Sequence, residues 1–130
     1  MVVPALCRIK HELNPDMVLV YGSEAHAVDE WNISSGRGNC GRGPVLVAQH
    51  KTLADRCKAA SKMHTDFELG WMPMLIDSMD NQFDEHYAAW PLRWYLLLRS
   101  GESVELKYAL GEALYTQPLE ECIQRCGATK

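Results

Sequence analysis

The chain has no surplus of positive charge: 13 Lys+Arg stand against 17 Asp+Glu in 130 residues, for a formal net charge of −4 and a pI near 5.7. With its basic residues scattered, it offers no stripe to neutralise a phosphate backbone, which argues against nucleic acid as the main partner. Long hydrophobic runs are missing too. The longest strongly apolar stretch, Trp94 to Leu98, is far shorter than the roughly 20 residues a bilayer helix requires. Met1 to Leu13 meets Arg8, Lys10, His11 and Glu12 before any long apolar stretch develops, so no signal-peptide pattern is present. These absences predict a cytoplasmic or peripheral chain. Cys7, Cys40, Cys57, Cys122 and Cys126 form an odd set with no CxxC, which suits reduced thiols better than a disulfide framework. Cys122 and Cys126 would share a helix face and could bind metal or oxidise. No Cys/His pair at zinc-finger spacing completes a metal site, and packing is the ordinary role of a free cysteine. Internal repeats and low-complexity segments are absent.

What is present is ordinary for a single globular domain over residues 1–130: 47% apolar and 23% charged. Ala5, Leu6, Ile9 and Leu13 recur at helical spacing with Arg8, Lys10 and Glu12 opposite. After Asn14-Pro15-Asp16, the run Met17 to Tyr21 predicts a buried strand. Ser34 to Pro44 is dense in glycine and predicts an irregular loop. It lacks the Gly-Lys-Ser/Thr ending and the flanking strand and helix of a phosphate cradle. Thr52 followed by Asp55 resembles a capping box, and Leu53, Cys57, Ala60 and Met63 then fall on one helical face. Met72 to Asp77 predicts a second buried strand, and Gln82 to Ala89 a short helix stopped before Pro91. Leu92 to Leu98 and Ser103 to Tyr108 flank Ser100-Gly101 as a hairpin, and Gly111 breaks the pattern. Pro118 suits the first turn of a terminal helix whose apolar face is Leu119, Cys122, Ile123 and Cys126. This order predicts an α/β fold: a mixed sheet with helices on both faces and a parallel crossover followed by an antiparallel hairpin, which is a thioredoxin-like layout. Such a sheet normally opens with a strand before the first helix, and that strand is not in this chain.

Val20-Tyr21-Gly22-Ser23-Glu24-Ala25-His26-Ala27-Val28-Asp29-Glu30-Trp31 resembles the signature of the iodothyronine deiodinases, Tyr-Ile-Glu-Glu-Ala-His-Ala-Ser-Asp-Gly-Trp. His50 with Leu53-Ala54-Asp55-Arg56 and Ala59-Ala60 resembles the family's His-Gln-Asn-Leu-Gln-Asp-Arg helix start. Asp77-Ser78-Met79-Asp80-Asn81 and Tyr87-Ala88-Ala89-Trp90-Pro91-Leu92-Arg93-Trp94-Tyr95 are similar to its Asp-Thr-Met-Gln-Asn and Tyr-Ala-Ala-Leu-Pro-Glu-Arg-Leu-Tyr stretches. The resemblance covers almost the whole chain. It implies a thioredoxin-like fold and reductive removal of iodine from a phenolic ring by a selenocysteine, with a thiol reductant as co-substrate and no bound cofactor. The family's Gly-Ser-x-Thr-selenocysteine-Pro stretch lies upstream of the matched blocks, so the first strand and catalytic loop are expected there. A gene model that read UGA as stop would restart at a later Met and give such a chain; a paralogue that discarded the segment is the alternative. Family members are often membrane-anchored by an N-terminal segment not present here.

The resemblance assigns catalytic roles to His26 and Glu24, and substrate contacts to His50, Trp31, Arg56 and Pro91. His26 and Glu24 follow a strand end, where ligand crevices form. A histidine there could protonate the ring carbon or hold the phenolic oxygen, with Glu24 fixing its tautomer; a solvated loop histidine is the plain alternative. His50, just ahead of the Thr52 cap, would be kept neutral by the helix N-terminus and could accept a phenol hydrogen bond. Right-handed crossover would bring His26 and His50 to one crevice. His11, His64 and His86 match no family position and read as surface residues. Trp31, Trp71, Trp90, Trp94, Met72 and Met74 could wall a ligand or fill a core. Pro91 is expected to be cis, as beside the redox residue of thioredoxin-like folds. The expected partners are an iodothyronine or other halophenol and a thiol reductant. The departures Gly22-Ser23 and Asp29-Glu30 leave thyroid hormone itself open as the substrate. The alternative function is a non-catalytic thioredoxin-like module for binding or homodimer formation. A thiol peroxidase would need a low-pKa cysteine near a helix N-terminus, and Cys7 lies too deep in its helix.

Overall fold

The computed structural model describes residues 2–31, 46–110 and 117–127. The glycine-rich stretch with Cys40, and Gly111, lie outside them. The elements in order are α1 (Val2–Leu13), β1 (Leu19–Tyr21), α2 (Leu53–Asp66), β2 (Met74–Ile76), α3 (Gln82–Tyr87), β3 (Trp94–Ser100), β4 (Ser103–Leu110) and α4 (Gln117–Arg125). Each predicted helix and strand is present, and the fold is of mixed α/β character, but the two strands expected to be buried are only half-buried and Leu75 of β2 is 57% exposed. The strands are two two-stranded sheets, so the expectation of a mixed sheet resolves, among the described residues, into one parallel and one antiparallel pair. Among the same residues no helix is long and apolar enough to cross a membrane.

The chain divides into two compact units, Met1–Asp16 with Leu92–Lys130, and Met17–Pro91. In the first, α4 packs on α1 and on the β3–β4 hairpin. Among the described residues its buried side chains are apolar: Leu6 and Ile9 from α1, Pro15 just after it, and Leu119, Cys122 and Ile123 from α4. Leu6 and Ile9 lie three residues apart, and Leu119 lies three and four residues before Cys122 and Ile123, which is what one buried helical stripe requires. Arg8 donates to both oxygens of Glu120, at 2.9 and 2.8 Å, tying the two helices at the surface. The hairpin turns at Gly101, whose φ of 60° favours glycine. A bulge between Leu96 and Leu97 shifts its register. Cys7 is exposed, so only Cys122 of the described cysteines fulfils the packing expectation in full, with Cys126 half-buried.

In the second unit, β1 pairs in parallel with β2, Leu19 opposite Met74, Val20 opposite Leu75 and Tyr21 opposite Ile76. The intervening α2 starts at the predicted capping box: Asp55 N–H donates to the Thr52 hydroxyl oxygen at 3.1 Å, and Thr52 N–H to the Asp55 carboxylate at 2.9 Å. The buried stripe of α2 differs from the expected one. Leu53 and Cys57 are exposed, whereas Arg56 and Ala60 are buried. Arg56 reaches the interior because acceptors there meet its guanidinium, which removes much of the penalty for burying a charge. His64 is half-buried, with Nε2 3.1 Å from the Met72 carbonyl oxygen, instead of a free surface residue. Met72 is core, as are Ala27 and Leu69.

Candidate functional site

Both parallel strands end at the same edge. Tyr21 closes β1, Asp77 follows β2, and Asp77 N–H donates to the Tyr21 carbonyl at 2.9 Å. Past that edge run residues 22–31, and residues 46–50 lead into the N-terminus of α2. Between them lies a crevice of about 460 Å³ whose lining includes Glu24, Trp31, Gln49, His50, Arg56 and Trp90.

The Tyr21 hydroxyl donates to Glu24 Oε1. His50 Nε2 lies 3.4 Å from that hydroxyl oxygen and 3.9 Å from the carboxylate. With the phenol proton committed to Glu24, Nε2 satisfies the contact as the donor, which leaves Nδ1 as an acceptor. Nδ1 is buried and has no hydrogen-bond partner among the described residues. The His50 side chain is 2% exposed. Burial pushes its pKa down, Arg56 adds to the effect, and Glu24 and Asp55 oppose it. It is therefore held neutral, chiefly by burial and not by the helix N-terminus invoked from the sequence. Burial and the bond to Glu24 push the Tyr21 phenol well above its ordinary range, so it stays protonated at neutral pH.

Arg56, 2% exposed, braces the other side. Its Nη1 donates to the carbonyls of Asp77 at 3.1 Å and Ser78 at 2.5 Å, and Nη2 to Asn81 Oδ1 at 2.9 Å. The Asp77 carboxylate accepts from Ser78 and Phe83 N–H, both at 2.9 Å, and from Asp84 N–H at 3.3 Å, fixing the entry to α3. Trp31 and Trp90, 62% and 43% exposed, supply indole surface to the crevice.

The predicted residues therefore fall into two groups. Glu24, His50, Trp31 and Arg56 meet at the crevice. His26 is exposed and is not among the lining residues; its ring packs edge-on against Trp31, with centroids 5.2 Å apart at 71°. Glu24 accordingly serves Tyr21 and His50 instead of fixing the His26 tautomer. The Trp90–Pro91 bond is cis, as expected; Pro91 is exposed, and its neighbour Trp90 provides the wall. Sequence reasoning missed Gln49, and gave Tyr21 no role beyond ending the strand and standing in the matched block. The signal for Tyr21 was its place three residues before Glu24, at the end of a parallel strand. Among the described residues no group of three or more His, Cys, Asp or Glu side chains could hold a metal.

The sequence model of the iodothyronine deiodinases matches residues 7–116. The chain belongs to that family. A type I iodothyronine deiodinase from Xenopus laevis is 33% identical over 82 residues, 63% of this chain and 29% of the relative. A type II iodothyronine deiodinase from Petromyzon marinus is 34% identical over 83 residues, 63% of this chain and 26% of the relative. A thyroxine 5-deiodinase from Homo sapiens is 26% identical over 88 residues, 68% of this chain and 26% of the relative. The matches thus span little more than a quarter of these deiodinases.

Proposed function

We propose that this chain carries the substrate-holding part of a deiodinase-type site, acting on an iodothyronine or another iodinated phenol, within a thioredoxin-like fold. The observation that supports this best is the unpartnered Nδ1 of the buried, neutral His50, a residue that lines the crevice walled by Trp31 and Trp90. A phenol hydroxyl needs such an acceptor, and its ring needs flat apolar surface. Family membership adds the reaction. The carbon–iodine bond breaks, the ring carbon gains a proton, iodine leaves as iodide, and two thiols supply two electrons to become a disulfide. The nucleophile is a selenocysteine expected upstream, which supplies the attack on iodine. The residues of this chain hold the phenol and keep a proton-bearing Tyr21–Glu24 pair beside it. His26, against Trp31, remains a candidate for proton delivery.

The test is iodide release from an iodinated phenol by a chain extended upstream through the selenocysteine motif. His50→Ala should weaken substrate binding about tenfold, the loss of one hydrogen bond of roughly 1.4 kcal/mol. His26→Ala should lower turnover more than binding, because proton delivery counts chiefly in the transition state. Wild-type kinetics in both variants would remove the site. The 130-residue chain alone should release no iodide even with excess dithiol. Release that vanished in Cys7→Ser would show instead that a thiol had taken over.

A further inference from the structure

We propose that Gln49 is a positioning residue whose side-chain amide holds the Glu24 carboxylate on Tyr21 and beside His50. Glu24 lies in a segment of turns and bends with no strand or helix of its own, so its place must be set by other bonds. Gln49 supplies them. Its Oε1 accepts from Glu24 N–H at 3.1 Å, and its Nε2 donates to the Glu24 carbonyl at 3.0 Å. One side-chain amide thus pairs with both polar groups of the Glu24 backbone, as a neighbouring strand would. The second Nε2 hydrogen goes to the Glu30 carboxylate at 3.0 Å, and the Gln49 backbone N–H to Asp29 Oδ1 at 2.8 Å. Val28 N–H donates to the Val47 carbonyl at 3.0 Å, closing the same two segments further along.

The amide is used in one sense only. Turned over, it would set its NH₂ against a backbone N–H and its oxygen against a carbonyl and a carboxylate. No other side chain of this length offers one acceptor and two donors: ionised glutamate lacks the donors, and methionine has no donor and only a weak acceptor. The next residue along the chain is His50, so one short segment presents the imidazole and anchors the carboxylate 3.9 Å from it. The charged or titratable groups around this cluster are Tyr21, Glu24, Asp55 and Arg56, with Asp29, Glu30 and Lys51 on the Gln49 side. What the positioning does for turnover rests on the deiodinase reading above, whereas its effect on the His50 proton does not.

The experiment follows the His50 imidazole by NMR through a pH titration of the 130-residue chain. Glu24→Gln sets the scale: removing the nearby negative charge should lower the His50 midpoint. Gln49→Met should lower it by at least half of that displacement while the far-UV circular dichroism stays unchanged. Gln49→Asn, an amide one methylene too short, should act in the same direction and carries the test if the methionine variant does not fold. In the wild-type chain the Glu24 amide should exchange with solvent far more slowly than a free loop amide. A displacement in Glu24→Gln but none in the Gln49 variants would overturn the proposal and leave the cluster standing. No displacement in any of them, or unprotected exchange at Glu24, would overturn it as well, with iodide release still judging the deiodinase reading separately.

Discussion

The two units bury different chemistry. Where Met1–Asp16 and Leu92–Lys130 come together, the buried side chains among the described residues are Leu6, Ile9, Pro15, Leu119, Cys122 and Ile123, and a surface ion pair ties α1 to α4. In Met17–Pro91 the apolar set of Ala27, Ala60, Leu69 and Met72 is joined by His50, Arg56 and Asp77. An apolar core asks its members only for size and shape. Buried charge demands a partner for nearly every polar atom, and a missing partner costs more than a missing contact. The polar interior therefore marks the unit that carries the crevice, since its stabilising groups and its chemistry-bearing groups are the same residues.

The sharpest way to break this contrast is Arg56→Met, which keeps the bulk and removes the donors. The carbonyls of Asp77 and Ser78 and the Asn81 side chain would lose their bonds, and stability should fall by about 4 kcal/mol in a denaturant titration. A loss under 1 kcal/mol would show that the interior tolerates apolar replacement as the other unit does. Ile9→Ala is the matching change there, and a cavity at a fully buried site should cost about 3 kcal/mol. Thr52→Ala should cost about 1 kcal/mol by opening the capping box of α2, with a lowered melting temperature as the readout. The smallest effect is a pH dependence. Burial holds the His50 pKa below its ordinary value of 6.5, so below that pH the unfolded chain binds a proton that the folded chain refuses. Stability from this group is complete above 6.5 and falls as pH drops. Melting temperatures between pH 7.5 and 5.5 should decline less steeply in His50→Gln; equal slopes would mean that His50 charges freely in the fold.

The elements were legible because their signals are local. The capping pair Thr52 and Asp55, the Gly101 turn and the stripe of Leu119, Cys122 and Ile123 each act within a few residues. Strand ends moved by up to two residues, since only Leu19–Tyr21 and Met74–Ile76 find ladder partners in the parallel pair. The stripe of α2 was misread because periodicity counts apolar residues, and nothing local reveals that a guanidinium will meet three acceptors some twenty residues away. Glu24 and His50 could be named from the deiodinase blocks, but not their mutual partner. Tyr21 scored as an apolar strand residue within the matched block, and its hydroxyl gains meaning only from Glu24, which accepts its proton, and from the 3.4 Å approach of His50. His26 was placed by crossover geometry at the resolution of a strand end, too coarse to separate a lining side chain from an exposed one.

The parallel register of β1 and β2 also fixes when the site can exist. Leu19 meets Met74 across more than fifty residues, whereas the β3–β4 hairpin closes over a turn at Gly101 and Glu102. Hairpins form in about 1–10 μs, and contacts between distant residues wait on the entropy of closing a long loop. The Tyr21 hydroxyl stands at one end of that loop, the His50 imidazole and the Arg56 guanidinium near its middle, and the Asp77 and Ser78 carbonyls that Arg56 bonds at the other end. No short segment holds them all, so the crevice is complete only once the long-range pairing of its unit has closed.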